Sequence, residues 1–326
     1  MTQVFIAQTG LDVVGATAVR RLAAAHPGER LYVLSTKPGG AEHLARTLPN
    51  VDLLMLGVDS LVNLAVHLST VMDDVTVTID GSSGLARKAF PLIDDRALRV
   101  FRPKSLTTPA LHAEIEELDL SHIDRLEVHN ALQQETALQM VPAEAQDKVI
   151  LDLTWNTPEA VIAQCLDNPF GERTPVVWFG SLDATGSGFR DFARLFGHLP
   201  QDCVPVVVLQ TPATPAQFDD FAASLGWSGS LPRLTVFTAP SVEFVAGLMT
   251  LVSASGGVML SSAIDAAPNP LMAYAHDAGV ALVGYANRAF DGAPWRERVA
   301  TCDQGDIRGL AALVRRAVPS LVAAAS

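Results

Sequence analysis

The stretch Asp74–Gly84, DVTVTIDGSSG, decides how the rest of the chain is read. Val75, Thr76, Val77, Thr78 and Ile79 are the residue types of a short buried strand, and Asp80-Gly81-Ser82-Ser83 permits a sharp turn at its end. A carboxylate therefore sits at the carboxyl end of a strand, which in an open α/β sheet is the edge where ligands bind. An Asp before a Gly is also a common turn filler, so the stretch alone leaves both readings open. A second strand downstream, ending Leu260-Ser261-Ser262, supplies a polar counterpart.

Working outward from Asp80, the first half alternates regularly. Thr2–Ala7 reads as a strand, Gln8-Thr9-Gly10 as a turn, and Leu11–Ala25 as an apolar-periodic helix. Strands near Leu31–Leu34, Val51–Leu56, Val75–Ile79 and Leu98–Phe101 are interleaved with helical stretches near Glu42–Thr47 and Leu61–Met72. Residues 105–145 hold two helical patterns around a short strand at Arg125–Val128, followed by a strand at Lys148–Leu153 and a helix at Pro158–Cys165. This order predicts a parallel sheet with helices on both faces.

The turn formers between Asp167 and Pro175 read as a linker, so the domains are expected at 1–168 and 169–326. Beyond it the alternation restarts. Val176–Phe179 is a strand ending in Gly180-Ser181, Val204–Leu209 a strand ending at Gln210-Thr211-Pro212, and Ala216–Leu225 a helix. Leu234–Phe237 is a strand, Ser241 an N-cap for a helix through Leu251, and Val258–Leu260 the strand before Ser261-Ser262. A helix near Pro270–His276, a strand at Val280–Val283 and a closing helix within Asp306–Ala325 complete the chain. The expected fold class is α/β, with two Rossmann-like doubly wound domains facing across a cleft.

Composition narrows the function classes. The 326 residues are 49% apolar and 18% charged, which describes a globular protein with room for two cores. A net charge of -12 argues against nucleic acid as a partner, because phosphate neutralisation needs clustered Lys and Arg. One small basic cluster, Arg96, Arg99, Arg102 and Lys104, reads either as a solvated edge or as a site for an anionic substrate or lipid headgroup. The three cysteines, Cys165, Cys203 and Cys302, lack metal-ligand spacing and suit reduced thiols. The N-terminus lacks a signal-peptide pattern. The uncharged run Phe244–Ala263 is interrupted by Ser253, Ser255, Gly256 and Gly257 and reads as helix, turn and strand instead of a membrane span. A cytoplasmic protein is expected, with peripheral contact at the inner membrane face left open.

The motifs exclude several chemistries. The GxGxxG fingerprint is missing after the first strand, where Thr9-Gly10-Leu11-Asp12-Val13-Val14-Gly15 stands, which counts against a nicotinamide-dependent oxidoreductase. There is no Walker A lysine motif, GxSxG elbow, HExxH or Asp-x-Asp pair.

The architecture resembles the glycosyltransferase-B (GT-B) fold, and the spaced motifs are similar to those of bacterial sialyltransferases and polysialyltransferases. Asp80-Gly81-Ser82 matches the acidic motif of that group, Thr211-Pro212 stands where it has His-Pro, and Ser261-Ser262 matches its serine pair. Glu243 falls where such enzymes set an acid against the donor ribose. The resemblance implies an inverting transferase acting on a cell-surface glycan precursor, with a nucleotide-activated sugar, foremost CMP-sialic acid, as donor. Asp80 would be the general base on the acceptor hydroxyl. Gly180, Ser181, Thr211, Pro212, Glu243, Ser261 and Ser262 would hold the donor, and Gln8, Thr9, Gly10, Gly81 and Ser82 would line the acceptor side of the cleft. A single leaving phosphate can be held by hydroxyls and a helix N-terminus, so neither metal nor cofactor is expected.

Thr211 in place of histidine and Ile79 in place of an additional acid depart from the pattern. They keep open a degenerate GT-B-like binding or scaffold protein, and a donor based on UDP or GDP. The retaining glycogen-synthase type is a further resemblance, carried by Gly180-Ser181 and by Asn269–Gly279. Its basic pair is absent: Ser181 stands at the Arg position, and no lysine follows Lys148.

Overall fold

In the computed structural model the alternation of strands and helices becomes two separate all-parallel sheets, one in each half of the chain. The structure describes residues 2–37, 41–105, 108–153, 161, 163–180, 182, 188–210, 213–225, 233–238, 240–262 and 271–318. The two compact units are Met1–Trp155 and Asn156–Ser326.

The first unit runs β1 (Thr2–Ala7), α1 (Val13–Ala25), β2 (Leu31–Ser35), α2 (Ala41–Thr47), β3 (Val51–Met55), α3 (Val58–Val71) and β4 (Val75–Asp80). It continues with α4 (Ser83–Ala89), β5 (Leu98–Arg102), α5 (Thr108–Glu116), β6 (Arg125–Val128), α6 (Ala131–Met140) and β7 (Val149–Leu151). The strand order is β3-β2-β1-β4-β5-β6-β7. β1 pairs with both β2 and β4, in registers such as Val4 beside Tyr32 and Val77, so the winding reverses between β1 and β4. Alternate residues of β4 face opposite sides: Val75, Val77 and Ile79 enter a core with Ile6, Leu85, Phe90, Phe101 and Leu126. Thr76, Thr78 and Asp80 face the other way. Asp12 caps α1 by accepting from Gly15 N at 2.8 Å, which satisfies a backbone donor that the helix cannot.

The second unit runs β8 (Thr174–Gly180), α7 (Phe189–Leu195), β9 (Cys203–Leu209), α8 (Pro215–Ser224), β10 (Thr235–Thr238) and α9 (Val242–Ala254). Then come β11 (Val258–Ser261), α10 (Leu271–Asp277), β12 (Ala281–Tyr285), β13 (Val299–Cys302) and α11 (Ile307–Ala317). The order β10-β9-β8-β11-β12-β13 reverses between β8 and β11. Its core is aromatic: Trp178 meets Phe189 edge-on at 5.3 Å, and Phe189 meets Phe221 at 5.4 Å. Thr214 and Gln217 form a capping box on α8 with Pro215 at its first turn, and Ser241 caps α9 as its position suggested. The described part of the uncharged run, 244–262, holds α9 from Phe244 onward, a turn with Gly256 at φ 63° and β11; among the described residues no helix is long and apolar enough to cross a membrane.

Three expectations change. The helix expected over Pro158–Cys165 is absent at its described residues, 161 and 163–165; Gln164 N–H donates to Glu243 O at 2.9 Å, and Gly247 packs against Gln164 without room for a Cβ. This segment therefore lies against α9, and the units divide before the turn formers that suggested a boundary at 168/169. β13 was not expected: as an edge strand its residues are half-exposed or exposed, so it carries no apolar alternation to read.

Packing separates the thiols. Burial, with the nearby charge of Asp202, pushes the Cys203 thiol up to about 11, whereas Cys165 is exposed. Maleimide labelling at pH 8 followed by peptide mapping is expected to modify Cys165 in the native protein and Cys203 only after denaturant is added. Equal labelling of both would contradict the packing of β9.

Candidate functional site

In a doubly wound sheet the crevice for a ligand opens at the carboxyl ends of the strands where the winding reverses, because the connecting loops there diverge to opposite faces. In the first unit that point lies between β1 and β4. Its residues are those the sequence singled out: Gln8, Thr9 and Gly10 follow β1, and Asp80, Gly81 and Ser82 end β4. The two strand ends are tied directly, Ser82 Oγ donating to Gln8 Oε1 at 2.5 Å. Thr36 Oγ1 donates to the Gln8 carbonyl, and Gly10 turns the chain with φ 93°.

Asp80 is enclosed. Its side chain is 1% exposed, and its Oδ2 lies 3.0 Å from Lys104 Nζ, which also approaches Asp12 Oδ2 at 3.6 Å. Burial pulls the Lys104 ammonium down, but the charges of Asp12 and Asp80 and their hydrogen bonds outweigh it and hold the group above its ordinary value. Two glycines make the approach possible. A Cβ on Gly15 would lie 3.0 Å from Asp80 Oδ2, and one on Gly81 would collide with the Lys104 side chain at a backbone φ of 66°. The expected role of Asp80 as general base does not fit this placement. A base must reach the hydroxyl it deprotonates, and this carboxylate is closed to solvent and paired with Lys104.

The basic cluster also resolves into pairs. Arg96 meets Asp94 at 2.9 Å, Arg99 meets Asp124 at 3.0 Å, and Arg102 lies buried, 3.8 Å from Glu127 and over the Phe5 ring. No free basic patch remains for a lipid headgroup in that run. Around it, burial pushes the Glu114 and Glu127 carboxyls above their ordinary values and the His129 imidazole well below its own, so His129 is neutral. A groove of about 450 Å³ runs along this face of the sheet, lined by Gln3, Thr76, Thr78, Arg102, Glu127 and Asp152 among others. Asp12 was missed as a site residue because it looks like an ordinary helix cap, and Lys104, read from sequence only as one of a basic cluster, turns out to be the partner of Asp80.

In the second unit the reversal lies between β8 and β11. Gly180 ends β8, Ser261 ends β11, and Ser262 follows it. The Trp178 ring occupies the space a Cβ on Gly180 would need, and the buried Gly180 accepts from Gln210 N–H at 3.0 Å through its carbonyl. Ser262 is fully buried, and its hydroxyl donates to Gly188 O at 2.7 Å, which anchors the start of α7. That bond takes the hydrogen expected to serve a phosphate. Ser261 is half-buried, and Glu243 is half-buried in the first turn of α9. Ser181, Thr211 and Pro212 lie outside the described residues. Among the described residues no group of His, Cys, Asp and Glu could hold a metal ion.

No protein-family model and no curated protein matches the sequence. Solved structures do. HepE of Anabaena, solved in complex with UDP and glucose, is 13% identical with a TM-score of 0.61, the match covering 99% of this chain and 95% of that one. MnaA of S. aureus, solved with UDP, is 10% identical with a TM-score of 0.57 over 98% of this chain and 90% of its own. A glycosyltransferase from Rickettsia africae is 7% identical with a TM-score of 0.56 over 97% of this chain and 87% of its own. The likeness spans both units and establishes a two-domain, Rossmann-like fold of the GT-B type.

Breaking a buried ion pair strands the remaining charge, at roughly 3–5 kcal/mol. Lys104→Met is expected to lower the unfolding free energy by about that amount in urea at pH 7. The folded value of Lys104 is raised, so its contribution is complete below the unfolded value of about 10.4 and declines as the pH rises beyond it. The stability difference between wild type and Lys104→Met should therefore be flat up to about pH 10 and shrink above it.

Proposed function

We propose that this chain transfers a sugar from a uridine diphosphate donor to a hydroxyl acceptor. The observation that carries this reading is the likeness of the whole chain, through both units, to proteins solved with UDP, one of them together with glucose. The organisation of the second unit supports it. The winding of its sheet reverses between β8 and β11, and the crevice at the carboxyl ends of strands at such a point accepts a diphosphate. The donor belongs in this unit and the acceptor in the first, at the carboxyl ends of β1 and β4 where its winding reverses. CMP-sialic acid, suggested by the motif resemblance, has less support: the Ser262 hydroxyl assigned to its phosphate is taken by Gly188 O.

A second reading is a sugar-nucleotide-binding protein without turnover, favoured by the pairing of Asp80 with Lys104. Binding and turnover separate the two. UDP is expected to raise the melting temperature more than CMP, GDP or NAD, and at a hundred times its dissociation constant a ligand stabilises by about 2.7 kcal/mol. Release of UDP from UDP-glucose or another UDP-sugar in the presence of acceptor would establish transfer. Stabilisation without release would favour the binding protein, and a larger shift with CMP would restore the sialyltransferase-like donor.

A further inference from the structure

A parallel sheet with helices on both faces ordinarily carries apolar side chains on both, and the first sheet departs from that rule on one of them. Helices α3 to α6 pack against the face that presents Val75, Val77, Ile79, Phe101 and Leu126. The opposite face carries Gln3, Thr76, Thr78, Arg102, Arg125 and Glu127, and together with the second half of α1 it bounds the groove of about 450 Å³. That volume lies within the range of small-molecule sites, about 300–1,000 Å³. The floor is rigid. Gln3, Thr78 and Arg102 are buried, and Arg102 lies between Glu127 and the Phe5 ring. Gln3 and Thr76 are paired near the amino ends of β1 and β4, so the groove runs along the sheet away from the crevice at the carboxyl ends.

The lining selects a class of ligand. Three guanidinium groups, of Arg21, Arg102 and Arg125, face two carboxyl groups, of Glu127 and Asp152, which leaves the groove net positive in a chain of net charge -12. Burial raises the Glu127 carboxyl above its ordinary value, which weakens the negative side further. Arg125 is exposed at the edge of the groove, where an incoming anion meets it first. The Thr76 and Thr78 hydroxyls, the Gln3 amide and the two carboxyl groups are partners for hydroxyl groups. A bare inorganic anion would leave them unused, and a polyanion would meet the two carboxyl groups. We infer that this groove is a second ligand site, which binds a small anionic sugar with its carboxylate or phosphate on Arg125 and its hydroxyls on Thr76, Thr78 and Glu127. The site lies in the first unit and is independent of the donor assigned to the second.

The test is calorimetric titration of the full chain with glucuronate, glucose 6-phosphate, glucose and inorganic phosphate, for wild type, Arg125→Gln and Thr76→Val. Wild type is expected to bind glucuronate or glucose 6-phosphate about tenfold or more tighter than either glucose or phosphate, and the tighter of the two tells a carboxylate from a phosphate ligand. Arg125→Gln should lose about tenfold for the anionic sugar and bind UDP as wild type does. Thr76→Val, which should lose about fivefold, gives the same reading should the Arg125 variant fail to fold. Wild type that binds none of the four, or binds glucose as tightly as the anionic sugars, would overturn the inference. Phosphate binding as tight as that of glucose 6-phosphate would mean an adventitious ion only and would overturn the sugar site. Variants that keep the wild-type affinity would place the ligand elsewhere and overturn it as well. None of these outcomes bears on UDP binding, so the donor reading is tested separately.

Discussion

One ion triad around the buried Asp80 organises the first unit. Asp12, Lys104 and Asp80 bring together the cap of α1, the loop after β5 and the end of β4, three segments far apart in the chain. Taking these charges out of water is unfavourable unless they meet at close range with their hydrogen bonds satisfied. Here the fold provides the close range, Lys104 Nζ lying 3.0 Å from Asp80 Oδ2. The start of α1 brings its partial positive charge near the two carboxylates, and Gly15 and Gly81 leave the space in which Asp80 and Lys104 approach. The two glycines are as much part of the interaction as the three charged groups.

The second unit solves the same architectural problem without charge. Its strands pack on a cluster of Trp178, Phe189, Phe192, Phe218 and Phe221, and polar groups at the carboxyl edge are used to fasten loops. Ser262 holds Gly188, and Tyr285 holds Asp191. These bonds use hydroxyl hydrogens that the sequence alone leaves free to serve a ligand. A catalytic role read from a serine at a strand end and a structural role for the same serine begin from identical sequence; the difference lies in where the hydroxyl hydrogen goes.

The same ambiguity runs through the resemblance to sialyltransferases. Its motifs are two or three residues long, and they mark strand ends in a doubly wound sheet, where Asp-Gly and Ser-Ser also serve as turns. The match in order and spacing reflects a shared arrangement of strands, and likeness at 13% identity with a TM-score of 0.61 supports that level of description, the fold. The roles attached to the motifs fare differently, since Asp80 holds a lysine and Ser262 a backbone carbonyl.

The sequence by itself determined the number of sheets, the parallel pairing, most strands and helices, and the placing of Gln8, Asp80, Gly180 and Ser261 at the carboxyl ends of strands; which of those ends flank the reversal points came from the strand order. These follow from local signals: β-branched runs, apolar periodicity, caps such as Asp12 and Ser241, and turns at strand ends. It missed β13, whose exposed edge residues carry no pattern, and it placed a helix over Pro158–Cys165, where the described residues instead run along α9. Tertiary structure alone decided the partners of the polar groups. Whether Asp80 meets an acceptor hydroxyl or Lys104, and whether Ser262 meets a phosphate or the Gly188 carbonyl, depends on which distant residue lies within about 3 Å, and a linear sequence does not encode that distance locally.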